Sequence, residues 1–400
     1  MMDNQLPPVI EDETLVPAYT LPDVLRDESG AAVTSAAQWQ TQRAYLRRLF
    51  ETHVYGTMPP AGQVTATIDE MSDQALEGRA VRQQVSLEIA PGHHVRLLVY
   101  RPRTEQPVPV FLGLNFRGNH TIQPDPHIQL TTSWVAARPG VVEYRATDAT
   151  RGSQTSRWPV SQIVDRGYAV ATIYAGDISP DKNDQFRDSV HTRFYRPGQT
   201  APAATEWGTL AAWAWGLSRA LDYLITDPAL GPVAVVGHSR MGKAALWAGA
   251  TDERFALTIS SNSGCGGAAL FRRCFGETIA AINRLAPYWF CQNFHQYDQR
   301  EADLPVDQHM LLALIAPRPL YIASATEDLW ADPRGEFLSA VHASPVYDLL
   351  GSVGLPAHDF PAPDQPVTGG LIGYHLRTGP HDITAYDWDC YMDFADHHLK

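Results

Sequence analysis

Three groups spread along the chain have the types and order needed to attack a carbonyl. In "VAVVGHSRMGK" an apolar run ends at Gly237, Ser239 follows, and a cation, Arg240, stands next to it. A serine hydroxyl becomes a nucleophile only when a base takes its proton and a carboxylate steadies the charged base. The acid has candidates in "TEDLWADP", which follows the apolar run "PRPLYIASA": Glu327, Asp328 and, close by, Asp332. The base has one well-placed candidate, His381 in "GPHDITAYDW", after a Gly-Pro break and before a final helical pattern. His375 lies inside a strand run, and His397 and His398 lie in the terminal helix, where structural roles are expected. Ser239 alone could be a hydroxyl that caps the next helix. Serine, acid and histidine in that order are far harder to obtain by chance.

The elements that must carry these groups are readable from hydrophobic periodicity. Residues 1–79, rich in Pro and polar residues, contain one helix-like segment, "AAQWQTQRAYLRRLFETHVYG", and read as an arm packing on a domain that occupies 80–400. "AVRQQVSLEIA" and "HVRLLVYRP" alternate like a half-wet antiparallel pair. From "VPVFLGLNF" onward the runs are continuously apolar and alternate with helical patterns: "YAVATIYAG", "GPVAVVG", "ALTISSNSG" and "PRPLYIASA". That alternation implies a mostly parallel sheet with helices on both faces, a three-layer α/β architecture. Gly237 then turns a strand sharply into a helix with Ser239 at the apex, the nucleophile elbow of α/β hydrolases. Two irregular inserts, near 118–158 and 177–205, are long enough to be functional and are expected on the rim of the site.

Composition narrows the partners. With 400 residues, 44% hydrophobic and 19% charged, the chain can build a large core. The net charge of -13 and scattered basic residues argue against nucleic acid and anionic membranes, and no apolar stretch is long enough to span a bilayer. Ten tryptophans fit a carbohydrate or lignin-like ligand, but a large core accounts for them better. The cysteines, Cys265, Cys274, Cys291 and Cys390, lack metal-site spacing and are expected as free thiols, so neither metal nor cofactor is expected. The N-terminus shows no basic start followed by an apolar run, so no signal peptide is read there, which suits a cytoplasmic protein; a leader removed beforehand would make it periplasmic or secreted.

The motif Gly237-His238-Ser239-Arg240-Met241-Gly242, followed by Lys243, departs from G-x-S-x-G because Met241 takes the second glycine position. Together with "SNSGCGGAAL", "APYWF", "EDLWADP" and "GPHDITAYDW", it resembles the glucuronoyl esterases, carbohydrate esterase family 15, over roughly residues 80–396. The resemblance implies an α/β-hydrolase fold and hydrolysis of the ester between (4-O-methyl-)glucuronate on xylan and a lignin alcohol. It implies Ser239 as nucleophile, His381 as base, Arg240 at the oxyanion, and Lys243 and Trp330 facing the sugar, with Glu277 as a further polar contact. Fungal members carry a glutamate as acid before the S-G-x-G-G stretch, where this chain has Asn262. An amide cannot stabilise an imidazolium by charge, so the acid is expected after "PRPLYIASA": Asp328 first, with Glu327 and Asp332 as alternatives.

Arg240 at a helix start is disfavoured by the helix dipole, which is understandable if its charge serves the reaction. The substrate partner expected is glucuronoxylan or a lignin-carbohydrate ester, acted on by a monomer. Two other readings compete: an acetyl or feruloyl xylan esterase on the same fold, and a non-catalytic carbohydrate-binding homologue.

Overall fold

Strands joined by tight turns pair antiparallel, whereas strands separated by a helix must run parallel, and this chain uses the first device and then the second. A computed structural model describes residues 9–400. Its strands are β1 (Thr65–Gln74), β2 (Ala80–Ala90), β3 (His93–Pro102), β4 (Val108–Asn115), β5 (Ala169–Tyr174), β6 (Leu230–His238), β7 (Leu257–Ser261), β8 (Leu320–Ala325) and β9 (Ile372–Arg377). They form one sheet in the order β1-β2-β3-β5-β4-β6-β7-β8-β9. The pairs β1/β2, β2/β3 and β3/β5 are antiparallel, and every other neighbouring pair is parallel. This is the expected α/β-hydrolase arrangement.

Each sheet face has its own core. On one face lie the helices Ala36–His53, Thr209–Leu224, Arg240–Thr251, Gln308–Ala313 and Pro333–Leu349; on the other lie Val160–Asp165 and Ala385–His398. Trp39, Trp213, Trp247 and Trp388 are fully buried in these layers, so most of the aromatic content serves packing. The N-terminal segment packs on the helix after β6: Tyr55 stacks on Trp247 at 4.5 Å and donates to the Gly266 carbonyl at 3.0 Å. All four cysteines are free thiols. Among the described residues no helix is long and apolar enough to cross a membrane.

Two expectations need correction. The sheet begins inside the stretch read as an arm, because β1 lies within residues 1–79 and pairs with β2. "TATIDEMSDQ" is almost wholly exposed, and a polar edge strand gives no apolar alternation to detect. The β2 strand is also buried along most of its length rather than half-wet. Its polar side chains are covered and bonded: Arg82 pairs with Glu70 at 2.7 Å and with Asp125, Gln84 donates to the His127 carbonyl at 3.0 Å, and Gln83 donates to the Tyr223 hydroxyl at 3.0 Å. Asp125 and His127 belong to the 118–158 insert, which lies over this face.

The loops at the carboxyl ends of β7 and β8 are tied together by Glu336, a fully buried carboxyl in the helix after β8. One oxygen accepts from the Ser263 and Gly264 N–H groups at 2.7 and 3.0 Å, and the other accepts from the Ser324 hydroxyl at 2.6 Å. Burial pushes the Glu336 carboxyl up to about 8, against the pull of these donors. An acid raised in the folded state leaves stability fully present at pH below the unfolded value of 4.5, and lost as pH rises from there to about 8. Glu336→Gln should therefore flatten the fall in urea midpoint across that window; an unchanged slope would assign the pH dependence to other groups.

Close approach also governs the turn at the end of β6. A methyl group on Gly237 would sit 2.0 Å from the Met241 carbonyl oxygen. Gly237→Ala should cost roughly 1–3 kcal/mol or more, as overpacking of a fixed backbone contact does, and a lowered Tm would register it.

Candidate active site

Ser239 stands between β6 and the helix Arg240–Thr251 with φ 58° and ψ -132°, outside the regions that serine prefers. Such a conformation costs of order 1–3 kcal/mol and persists only where surrounding bonds enforce it. Here the Ser239 N–H donates to the Ser261 carbonyl at 2.8 Å, and the Ser239 carbonyl accepts from Gly242 and Lys243 at 2.8 and 3.2 Å. The N–H groups of Arg240 and Met241 open the helix, where no intrahelical acceptor exists, and they can meet a developing oxyanion. The shifted glycine has a structural reason. Gly242, not residue 241, makes the close approach to the sheet, with its added Cβ only 3.0 Å from Ser260 Oγ and Ser263 Cβ, while the Met241 side chain is buried.

The far end of the chain returns to this turn. The ring of His381 lies 4.6 Å, centroid to centroid, from that of His238, the residue before Ser239. His381 Nδ1 bonds to Asp328 Oδ2 at 2.6 Å, which commits that nitrogen and leaves Nε2 for the nucleophile. The same Asp328 oxygen accepts from Asn262 Nδ2 at 2.9 Å, and the aspartate is almost completely buried. His238 is buried among cations and aromatic rings, and burial pushes it well below the usual histidine range, so it stays a neutral ring beside His381.

The other carboxylates near the acid loop are placed differently. Glu327 is exposed. Asp332 caps the helix Pro333–Leu349 through Gly335 N at 2.9 Å and pairs with Arg273 at 2.8 Å, so its oxygens are occupied away from His381. His375 is buried and bonded to Asp387 at 2.9 Å, a structural role as expected.

Arg240 is held from several sides. Its Nε lies 2.6 Å from Asp181 Oδ2, and its guanidinium sits 4.7 Å from the Phe116 ring and 5.7 Å from the Trp289 ring. Asp181 also accepts from the Tyr288 hydroxyl at 2.9 Å and from Trp289 Nε1 at 2.8 Å. Asp181 belongs to the 177–205 insert, so that insert does reach the site. On the next helical turn, Lys243 pairs with Glu277 at 2.7 Å, and Glu277 accepts from Trp330 Nε1 at 3.2 Å. Lys243, Glu277 and Trp330 thus meet in one cluster whose charges cancel.

Sequence reasoning singled out Ser239, His381, Asp328, Arg240, Lys243, Trp330 and Glu277, and the structure places them on the segments that follow β6, β7, β8 and, for His381, β9. It missed Asp181, the bond from Asn262 to Asp328, the neutral His238 and the bracing Glu336. Asp181 carried one signal, its place in a long insert; the others depend on contacts between distant segments.

Residues 118–351, more than half of the chain, match the family model described as glucuronyl esterase, fungi. The chain is 51% identical to Carbohydrate esterase MZ0003, from an unknown prokaryotic organism, over 97% of its own length and 91% of that protein's. It is 29% identical to 4-O-methyl-glucuronoyl methylesterase 1 of Wolfiporia cocos (strain MD-104), covering 84% of this chain and 74% of that one. Among solved structures, a promiscuous CE15 esterase from a marine bacterial metagenome superposes with a TM-score of 0.91 at 50% identity, covering 98% of this chain and all (100%) of that one. A glucuronoyl esterase from Solibacter usitatus superposes with a TM-score of 0.92 at 42% identity, covering 97% and 100%. Both the elbow with its paired His381 and Asp328 and these likenesses lead to one statement: the chain belongs to the glucuronoyl esterases of carbohydrate esterase family 15.

Proposed function

We propose that this protein is a serine esterase that hydrolyses the ester between (4-O-methyl-)glucuronic acid of glucuronoxylan and lignin alcohols through an acyl-enzyme. The observation that carries the reading is the 2.6 Å bond from His381 to the buried Asp328, beside a serine held at a strained turn.

In the proposed reaction, His381 takes the Ser239 proton as the hydroxyl oxygen attacks the uronate carbonyl carbon. Asp328 stabilises the imidazolium by charge and fixes which nitrogen faces the serine. The carbonyl oxygen, now negative, meets the N–H groups at the helix start and the Arg240 guanidinium. Because Asp181, Phe116 and Trp289 hold Arg240 beforehand, its charge needs little reorganisation at the moment of reaction. The carbon–oxygen bond to the alcohol breaks as His381 returns the proton to the leaving oxygen. A water, deprotonated by His381, then attacks the acyl-enzyme and restores Ser239. A positioned acid–base group contributes about a hundred- to ten-thousandfold to such a rate.

Lys243, Glu277 and Trp330 supply donors and an acceptor for the sugar hydroxyls on the side of β7 and β8. Wider acyl scope is the second reading, because the 50%-identical relative is described as promiscuous. Turnover of a benzyl glucuronate ester and of acetylated xylo-oligosaccharides separates the two. Uronate preference is expected, and a preference for acetate would overturn the substrate assignment.

Ser239→Ala should lower turnover of the uronate ester by about ten-thousandfold or more and abolish labelling by a fluorophosphonate. Retained turnover would remove Ser239 from the reaction. Asp328→Asn should lower kcat by about a thousandfold or more, while Glu327→Gln changes it by less than about twofold. Asp332→Asn should act chiefly on Tm, through its cap and its bond to Arg273. If Glu327→Gln or Asp332→Asn is the change that cripples kcat, the acid has been misassigned.

A further inference from the structure

The His381 side chain is 40% exposed, against 4% for Asp328, so close packing on every side does not set its orientation. Its bond to Asp328 fixes Nδ1 but leaves the ring free to swing about the line from Nδ1 to Oδ2. A base must lie within hydrogen-bond reach of the proton it takes, and such a swing carries Nε2 away from Ser239. The loop beneath the ring is held firmly. Arg377 donates to the Pro380 and Asp382 carbonyls at 2.8 and 3.0 Å, Glu327 N–H donates to the Gly379 carbonyl at 3.0 Å, and Arg157 pairs with Asp382 at 2.7 Å. The backbone of His381 is therefore fixed, and the plane of its ring needs a further constraint.

His238 lies against that ring, with centroids 4.6 Å apart and planes inclined by 41°. It is the last residue of β6, opposite Ser261 of β7, and it is buried. Because its backbone belongs to the elbow, its ring stands at a set place beside the nucleophile. Phe116 meets it edge-on at 6.3 Å, and Arg157, Trp158, Ile383 and Trp388 line the narrow recess next to it. Neither ring nitrogen has a hydrogen-bond partner among the described residues. What His238 offers His381 is ring contact.

The charged groups around His238 are directed elsewhere: Arg157 pairs with Asp382, Arg240 with Asp181 and Arg377 with Asp387, while Asp328 bonds to His381. Burial, and then the charges of His381, Arg157, Arg240 and Arg377, hold His238 well below the usual histidine range. An uncharged ring keeps its contact with His381 when that base becomes an imidazolium, whereas a second cation would repel it. We propose that His238 is a positioning residue for the reaction, a wall that stops His381 from swinging about its bond to Asp328 and so keeps Nε2 toward Ser239. The inference rests on His381 acting as the base in the esterase reading given above.

The test measures kcat and KM on a benzyl glucuronate ester, the rate of fluorophosphonate labelling, and Tm, in wild type and in His238→Ala, His238→Leu and His238→Phe. On the pH plateau, His238→Ala should lower kcat and the labelling rate by about tenfold to a hundredfold, the scale of a slight misplacement of a reacting group, with KM changed by less than about twofold. His238→Phe restores a flat ring and should recover kcat to within about threefold of wild type, whereas His238→Leu restores bulk alone and should stay low. In wild type the acid limb of kcat/KM should fall with the slope of one proton, because His238 takes up none. Unchanged kcat in His238→Ala, a His238→Phe as slow as His238→Ala, equal recovery by Leu and Phe, losses that follow Tm alone, or a slope of two protons would each overturn the wall. If His238→Ala fails to fold, the comparison of Leu with Phe still decides. Should wild type label but leave the uronate ester intact, the substrate reading falls and the labelling rates of the variants still decide for His238. Should wild type neither label nor turn over, the esterase reading falls and this inference with it.

Discussion

The backbone contact between Gly237 and Met241 is the constraint on which the site depends. The β6 strand must reverse into a helix within a few residues, and it can do so only if the chain passes close enough that a single Cβ at residue 237 would collide with a carbonyl oxygen. That closeness puts Ser239 in a conformation it would not choose, lifts its hydroxyl away from the helix, and aims the first helical N–H groups at the space in front of it. Met241 at the usual glycine position is tolerated because the second close approach has moved to Gly242, so the turn keeps its geometry with a different spelling.

Around this turn, charges are distributed by the chemistry they face. Asp328 is buried and receives two donors, His381 and Asn262, so it is oriented before any substrate arrives. Asn262 donates to Asp328 in the loop after β8 and accepts from the Ser261 hydroxyl at 3.1 Å. The β7 and β8 loops that carry this pair are braced from beneath by Glu336, a carboxyl that accepts from both. Lys243 and Glu277 cancel each other's charge one helical turn past the elbow. Arg240 is paired with Asp181 and held against the Phe116 and Trp289 rings.

The inserts and the arm connect packing with this chemistry. The 118–158 insert covers β2 through Arg82 and Asp125, and its Arg157 pairs with Asp382, the residue after His381. The 177–205 insert brings Asp181. The N-terminal helix packs against Trp247 in the helix that starts at the elbow, so the arm buttresses the element that carries the elbow. These irregular segments hold their place by side-chain bonds together with backbone bonds such as Gln154 N–H to the Thr121 carbonyl at 2.8 Å.

What the residues alone determined were the features that local pattern fixes. Continuous apolar runs separated by helical periods required a parallel sheet, because only helical crossovers can join such strands. Gly237, Ser239 and Arg240 marked the elbow, and the order of Ser239, Asp328 and His381 gave the acid and base their places after strand ends. The polar edge strand β1 escaped, since an exposed edge needs no apolar alternation, and the burial of β2 escaped because a distant insert supplies it. Only the tertiary structure separated Asp328 from Asp332: both are buried aspartates of one short loop, but one turns to His381 while the other caps a helix and holds Arg273. It alone brought Asp181 to Arg240. Spacing along a chain sets which backbone a side chain stands on, but which oxygen meets which nitrogen is decided by segments that fold back from hundreds of residues away.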